Sequence, residues 1–196
     1  MESYLLIILL AIIIIYKYFN TYDVIYVECF NSNDHKKYLV RNLPDMNEAV
    51  KILSLIESTL KKLINILIND EDVKSNIEMF NYIKKIDEKI DDVEIQESTA
   101  NSKYTSYTVN KGELLVFCIR SKITSKIHDF NDLLYVAIHE IAHIGCPEVG
   151  HTDLFFKINT YLIDKAIKYN IYKYTDYGAN NIEYCGMQLT VSVASK

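Results

Sequence analysis

The sequence predicts an α+β fold, a helix-rich domain with a small antiparallel β-sheet, preceded by one N-terminal transmembrane helix. Three observations carry this expectation. Residues 3–16 form one apolar run with no charge in it. Four later runs place apolar residues at the 3.6-residue period of a helix with one buried face. Residues 104–120 read instead as two β-rich segments around an Asn-Lys-Gly turn. The length of 196 residues suits a single domain with an appendage. The boundaries fall at 1–20 for the anchor, 21–44 for a stalk with short strands, and 45–196 for the folded domain.

Taken in order, Ser3 to Tyr16 is apolar on every face, which removes the option of an amphipathic surface helix. Tyr18 and Phe19, with Lys17 snorkelling, extend it to about the minimum span of 17 residues. Tyr4, Tyr16 and Tyr18 suit the two interfaces. A cleaved signal peptide would want a basic start and small residues at the cleavage point, and neither is present. Lys17, Lys36 and Lys37 lie after the run, which points the folded domain toward the cytoplasm as a single-pass membrane protein. Asp23 to Phe30 is β-rich, Asn31 to Asp34 is a turn cluster, and Tyr38 to Arg41 is a short extended piece. A long helix follows Pro44-Asp45 to about Ile68, with Val50, Leu53, Ile56, Leu60, Leu63, Ile64 and Leu67 on one face. After a break at Asn69–Asp72, a second helix runs from about Val73 to Ile90, with Ile77, Phe80, Ile83, Ile86 and Ile90 inward. Ser98 to Ser106 reads as a polar loop. Thr105–Val109 and Glu113–Ile119 form the hairpin, and Asn131-Asp132 opens a third helix. A fourth, with Leu154, Phe155, Ile158, Leu162, Ile163 and Ala166, follows Gly150. The tail from Asn170 is rich in Tyr, with Gly and Asn.

Composition excludes several classes. The net charge is −5 and no basic block exceeds pairs such as Lys36-Lys37, so direct nucleic-acid binding is not indicated. The four Cys (Cys29, Cys118, Cys146, Cys185) are scattered with no Cys-x-x-Cys pair, which fits free thiols in a reducing compartment. The acidic stretch Asn69–Asp72 lacks the spacing and central Gly of a calcium loop. His35 and His128 read as surface residues.

One motif carries chemistry. In Tyr135-Val136-Ala137-Ile138-His139-Glu140-Ile141-Ala142-His143, the two His stand one helical turn apart on the same face. Two imidazoles so placed can bind one Zn²⁺, and Glu140 between them can take a proton from water held by the metal. A chance His-Glu-x-x-His in this length is an event of about one in a hundred. The apolar neighbours Val136, Ala137, Ile138, Ile141, Ala142 and Ile144 put the turn in the interior, where unpaired polar groups are costly. A catalytic zinc needs a third protein ligand and an open position. His151 is best placed, beyond the breaks at Pro147 and Gly150 and at the start of the next helix. Glu183 on a later segment and Cys146 beside the site are rivals, while the spacing of Gly145 and Met187 does not match a metzincin. Asp153 is a candidate to orient a ligand His, or else simply an acid in a helical first turn. Leu115 and Phe117, on the strand preceding the zinc helix, are candidates to border the cleft and pair with a substrate strand. A Tyr of the tail could serve an oxyanion.

These residues carry a family resemblance. The span from Thr105 to Gly186 resembles the WLM/SprT-like (Spartan-like) zinc metalloproteases, in particular the membrane-anchored WLM-type proteins of large nucleocytoplasmic DNA viruses. The resemblance lies in Thr105–Glu113, Cys118-Ile119-Arg120, Val136–His143, Gly150-His151-Thr152-Asp153 with Phe155, and Tyr184-Cys185-Gly186. It implies a zincin-like domain, Zn²⁺ on His139, His143 and His151, Glu140 as catalytic base, and a protein or peptide substrate. The order Gly150-His151 departs from the His-Gly common in SprT-like members, and Phe155-Phe156 stands where many relatives carry Phe-Trp. Cellular relatives act on proteins crosslinked to DNA, and no residue pattern here carries that substrate over. The rival expectation is a non-catalytic membrane protein with a structural metal closed by a fourth ligand.

Overall fold

Five strands form a mixed sheet in the order β1-β2-β3-β5-β4: β1 (Val24–Glu28), β2 (Lys37–Arg41), β3 (Glu94–Glu97), β4 (Tyr107–Val109) and β5 (Leu114–Phe117). The computed structural model describes residues 2–19, 23–29 and 35–194, and in the first helix the side chains of residues 4–15. The turn expected at Asn31–Asp34 and the interfacial roles of Tyr16, Lys17 and Tyr18 lie outside these. The residues expected as a stalk contribute β1 and β2, an antiparallel pair in register from Val24 opposite Arg41 to Glu28 opposite Lys37.

The sheet is not the small antiparallel one expected. β2 pairs parallel with β3, and β3 pairs parallel with β5. The cause is the connection: between β2 and β3 the chain passes through helices α2 (Met46–Asn69), α3 (Glu71–Ser75) and α4 (Ile77–Ile90). A crossover of that length returns the chain in the same direction. β4 then pairs antiparallel with β5 through the expected turn, with Tyr107 opposite Val116. β5 therefore lies inside the sheet and β4 at its edge. Asn110, Lys111 and Gly112 all adopt left-handed backbone in that turn.

Helix α2 follows its apolar period: Val50, Leu53, Ile56, Leu60, Leu63, Ile64 and Leu67 are all buried. The second expected helix is two. Asp70 caps α3, and Asn76 caps α4 by accepting a hydrogen bond from Met79 N at 3.2 Å. Met79 joins the expected Ile83, Ile86 and Ile90 on the buried face, while Ile77, the first residue of α4, is 72% exposed. Helices α5 (Phe130–Gly145) and α6 (Asp153–Lys168) pack on each other, and α5 also packs on α2 and α4. Gly145 is required where α5 meets α4, since a Cβ there would sit 2.9 Å from Tyr82 O. The Tyr-rich tail holds a second hairpin, β6 (Ile182–Tyr184) with β7 (Met187–Leu189), turning on left-handed Cys185 and Gly186.

Two further expectations are overturned. Among the described residues no helix is long and apolar enough to cross a membrane. The apolar run lies in helix α1 (Glu2–Phe19). Its 18 residues, at about 1.5 Å each, span about 27 Å, and Glu2 and Lys17 shorten the uncharged part further. A hydrocarbon core is about 30 Å thick. The transmembrane helix is therefore withdrawn, and with it the single-pass, cytoplasm-facing placement. Nor are all four Cys free: Cys118 and Cys185 form a disulfide, which leaves Cys29 and Cys146 as buried thiols.

Candidate metal centre and active site

Helix α5 begins at Asp129, whose side chain accepts a hydrogen bond from Asn131 N at 2.8 Å. It ends at Gly145, ahead of Pro147. Its apolar residues from Leu133 to Ile144 are buried, so the helix is central and only one stripe of it can open to solvent. His139 and His143 occupy that stripe and are half-buried. Residues 146–152 reverse the chain, and Thr152 caps α6 by accepting from Phe155 N. His151, just before the cap, swings back over α5.

The three imidazoles converge. Their candidate ligand atoms all lie within 4.8 Å of one another, and His139 Nε2 is 3.0 Å from His151 Nε2. Ring centres are 5.1 Å apart for His139 and His143, 4.9 Å for His139 and His151, and 5.0 Å for His143 and His151. A tetrahedral ion with bonds of about 2.0–2.1 Å needs nitrogens about 3.3 Å apart, so this donor set fits Zn²⁺. Protonation supports the fit. Burial first, then the neighbouring imidazoles, pushes His139 down to about 3. Burial, His151 and Lys111 push His143 down to about 4. Both rings are thus neutral at neutral pH, the form that binds metal. Among the described residues no fourth His, Cys, Asp or Glu joins the group, as a closed structural site would require.

Glu140 lines the same cleft as the three His, and one of its carboxyl oxygens faces β4. It is 4% exposed, and burial pushes its carboxyl up to about 7 against the opposing hydrogen bond from Thr108. The Thr108 hydroxyl lies 2.8 Å from Glu140 Oε2 and 2.9 Å from Glu140 O. A carboxyl poised near neutrality can both take and return a proton.

Three residues not singled out as site residues complete the centre. Phe155, fully buried, stacks on His143 at 4.1 Å between ring centres and meets His139 and His151 edge-on. It is the apolar floor that sets all three ring planes. Lys111 Nζ donates to Cys146 O at 2.7 Å and also to Glu148 O, so the β4–β5 turn clamps the segment that delivers His151. Thr108 holds Glu140. Thr108 and Lys111 belong to a strand and its turn far from the motif in sequence, and Phe155 reads as an ordinary core residue. All three lie in stretches that carry the family resemblance, but nothing in their local pattern assigns them a role.

The other candidates are placed elsewhere. Asp153 is exposed in the first turn of α6, and no hydrogen bond or ion pair joins it to the three His among the described residues. That is the position where the helix dipole favours an acid. Leu115 and Phe117 are fully buried on the interior strand β5 and do not reach the cleft. Glu183 bonds back to Gly186 N in its own hairpin, and Cys146 is buried beneath the end of α5, so neither joins the metal group. His128 is not a surface residue. It is half-buried, packs on Tyr184 with ring centres 5.1 Å apart, and accepts from Cys185 N at 3.2 Å.

The centre opens into a cleft of about 960 Å³. One wall is β4 with its approach, Thr105 to Thr108; the other is the β6–β7 hairpin with Met187, Gln188 and Leu189. Tyr184 anchors that hairpin, 2% exposed, with its hydroxyl 2.6 Å from Ser106 Oγ. Burial raises its phenol pKa.

With this geometry established, relatives can be compared. No family model matches the chain. Over 157 residues, covering 78% of this chain and 77% of the relative, it is 44% identical to uncharacterized protein R325 of Acanthamoeba polyphaga mimivirus. The chain belongs to the R325 family. It is also similar over shorter stretches to two proteins of invertebrate iridescent viruses. One is uncharacterized protein 042R of Invertebrate iridescent virus 3, 42% identical over 67 residues, covering 34% of this chain and 42% of that protein. The other is uncharacterized protein 136R of Invertebrate iridescent virus 6, 38% identical over 82 residues, covering 41% of this chain and 44% of that protein. Among solved structures, two crystal structures of Wss1 from Saccharomyces cerevisiae, one of them a mutant, overlap partly with this member of the R325 family. The mutant aligns at a TM-score of 0.36 and 12% identity, covering 52% of this chain and 87% of that chain. The other aligns at 0.36 and 18% identity, covering 48% and 83%. An overlap at that level bears on neither the site nor the activity, for which the residues themselves must speak.

Proposed function

We propose that the chain is a zinc-dependent metallopeptidase that hydrolyses peptide bonds in protein or peptide substrates. The observation that carries this reading is the meeting of His139, His143 and His151 at the mouth of an open cleft, with the Glu140 carboxyl on the same helix. The three imidazoles would hold the ion. Zinc bound by three protein ligands with a position open supplies a Lewis acid for the scissile carbonyl and lowers the pKa of water.

The remaining work belongs to the chain. Glu140 accepts a proton from the attacking water and returns it to the departing amine, a role that suits its raised pKa. Phe155 and Lys111 hold the ligand rings and the His151 segment in place, so that little reorganisation accompanies the reaction. The outer strand β4 lines the cleft, and an extended polypeptide can add to it through main-chain hydrogen bonds. Such binding reads backbone rather than side chains and suits unfolded segments.

The test is Glu140→Gln. Metal analysis of the purified protein should give about one zinc per chain for both forms, while cleavage of a quenched, denatured protein falls by about 10²–10⁴-fold in the variant. Equal cleavage by the two forms would overturn the reading.

A further inference from the structure

We infer that Thr108 is a positioning residue for Glu140: its hydroxyl fixes the carboxyl and ties it to the strand along which a substrate would lie. The inference rests on the hydrolase reading above and deepens it.

The argument begins with how a carboxyl on a helix is held. Glu140 sits on α5, but a Glu side chain has three rotatable bonds, and among the described residues no hydrogen bond joins its oxygens to His139 or His143. The fixed point comes from outside the helix. Thr108 Oγ1 is 2.8 Å from Glu140 Oε2, and the same oxygen is 2.9 Å from Glu140 O. The hydroxyl has a single proton to share between these two oxygens, so the side chain is held at Oε2 while the main-chain oxygen keeps the hydroxyl beside Glu140. With Oε2 engaged, Oε1 is the oxygen left to meet a reacting molecule. A β-branched Thr suits this role, because its χ1 is stiff and the strand holds its backbone.

The location adds a second consequence. Thr108 is the middle residue of β4, the edge strand, flanked by Tyr107 and Val109. Thr105 to Thr108 line the cleft. A peptide paired on β4 takes its register from the strand that also sets the base, so scissile bond and carboxyl are indexed to one element. A substrate that pulls β4 out of place moves Glu140 as well.

The test uses Thr108→Val, which keeps shape and removes the hydroxyl, beside Thr108→Ser, which keeps the hydroxyl. In zinc-loaded full-length protein, Thr108→Val should lower kcat by about 10- to 100-fold, the loss expected for a hydrogen bond to a charged group. KM and zinc affinity should stay within about threefold of wild type, since no substrate or ligand contact is removed. Thr108→Ser should recover most of the kcat. Crystal structures of both variants give a readout free of turnover: the Glu140 carboxyl should leave its place in Thr108→Val and keep it in Thr108→Ser. An unmoved carboxyl in Thr108→Val, or an unchanged kcat, overturns the inference. If wild-type protein cleaves no polypeptide, the hydrolase reading fails, and the carboxyl positions in the two variants still decide the role of Thr108.

Discussion

Breaking the Cys118–Cys185 disulfide should cost the protein much of its stability and loosen one wall of the cleft. The two Cys are separated by 67 residues. Closing a loop of that size in the unfolded chain is worth about 4.4 kcal/mol of entropy at 25 °C, and native disulfides commonly deliver about 2–4 kcal/mol. A protein of this length shifts its Tm by about 2–4 °C per kcal/mol, so reduction should lower Tm by about 5–15 °C. The effect is also local. The β6–β7 hairpin is a separate two-stranded sheet, and an isolated hairpin is marginal in water. Besides the disulfide, the hairpin and the segment after it are held by Tyr184 on Ser106, by Cys185 N on His128, and by Tyr135, which bonds Val191 O at 3.0 Å and Val193 N at 3.2 Å. Met187 to Leu189 line the cleft, so activity should fall with the bond. The assay is thermal unfolding followed by circular dichroism, with and without dithiothreitol, for wild type and for Cys118→Ser/Cys185→Ser. Alkylation of unfolded, unreduced protein should label only Cys29 and Cys146. Four labelled cysteines, or a Tm indifferent to reductant in protein that carries the bond, would refute the reasoning.

Other outcomes follow from single groups. His151→Ala should weaken zinc binding by at least about 100-fold, because changes to outer-shell groups alone cost 10- to 100-fold and this change removes a ligand; competition with a chromophoric chelator measures it. Burial pushes the Glu57 carboxyl up, but hydrogen bonds from Lys36, Tyr38 and Lys61 outweigh that and leave it below its ordinary range. The unfolded chain therefore takes up this proton at higher pH than the folded one, so the contribution is whole above the ordinary carboxylate pKa of about 4.3 and is lost as pH falls through the lower folded value. Urea titrations from pH 7 to 3 should show that loss, and Tyr38→Phe, which deletes a 2.7 Å bond to Glu57, should flatten it. Asn159 is 1% exposed on α6, and neither side-chain polar atom has a partner among the described residues. Asn159→Leu should raise the unfolding free energy by about 1–2 kcal/mol in the same titration, and a loss of that size would show that the amide is satisfied after all.

The parts that could be read from sequence were those in which the candidate site follows the period of the local structure. His139, Glu140 and His143 declare themselves because a helix places residues four apart on one face, and His151 because Pro147 and Gly150 force the chain back. The long helices were read from the burial period of residues such as Leu53, Leu60 and Leu67. β3 escaped because Glu94-Ile95-Gln96-Glu97 has one apolar residue. The burial of Glu97 is matched by Arg120, three residues beyond β5, whose Nε donates to Glu97 Oε1 at 2.7 Å. The parallel pairing escaped with it, since a missed middle strand makes β5 look like an edge. That error carried Leu115 and Phe117 into the list of cleft residues, where β4 and Thr108 belonged. Ile77 was turned inward by a period that ignored the cap at Asn76. The β6–β7 hairpin turns on Cys185-Gly186, and two left-handed residues of that kind give a weak signal without strong alternation on either side.

The division between what was read and what was missed follows the construction of the site. The candidate metal ligands come from helix α5 and from residues 146–152 that follow it, so one short piece of chain nearly suffices to bind an ion. A bound ion alone is not a hydrolase. The base must be oriented, the third ligand must be held over the first two, and a cleft must present a substrate to both. Those tasks fall to Thr108, Lys111 and the β6–β7 hairpin, which reach the helices from about 30 residues before the motif or 40 after it. On the reading proposed above, metal binding by this chain should therefore tolerate changes in β4 and the hairpin that catalysis does not. Variants at Thr108 that keep zinc while losing turnover would separate the two properties.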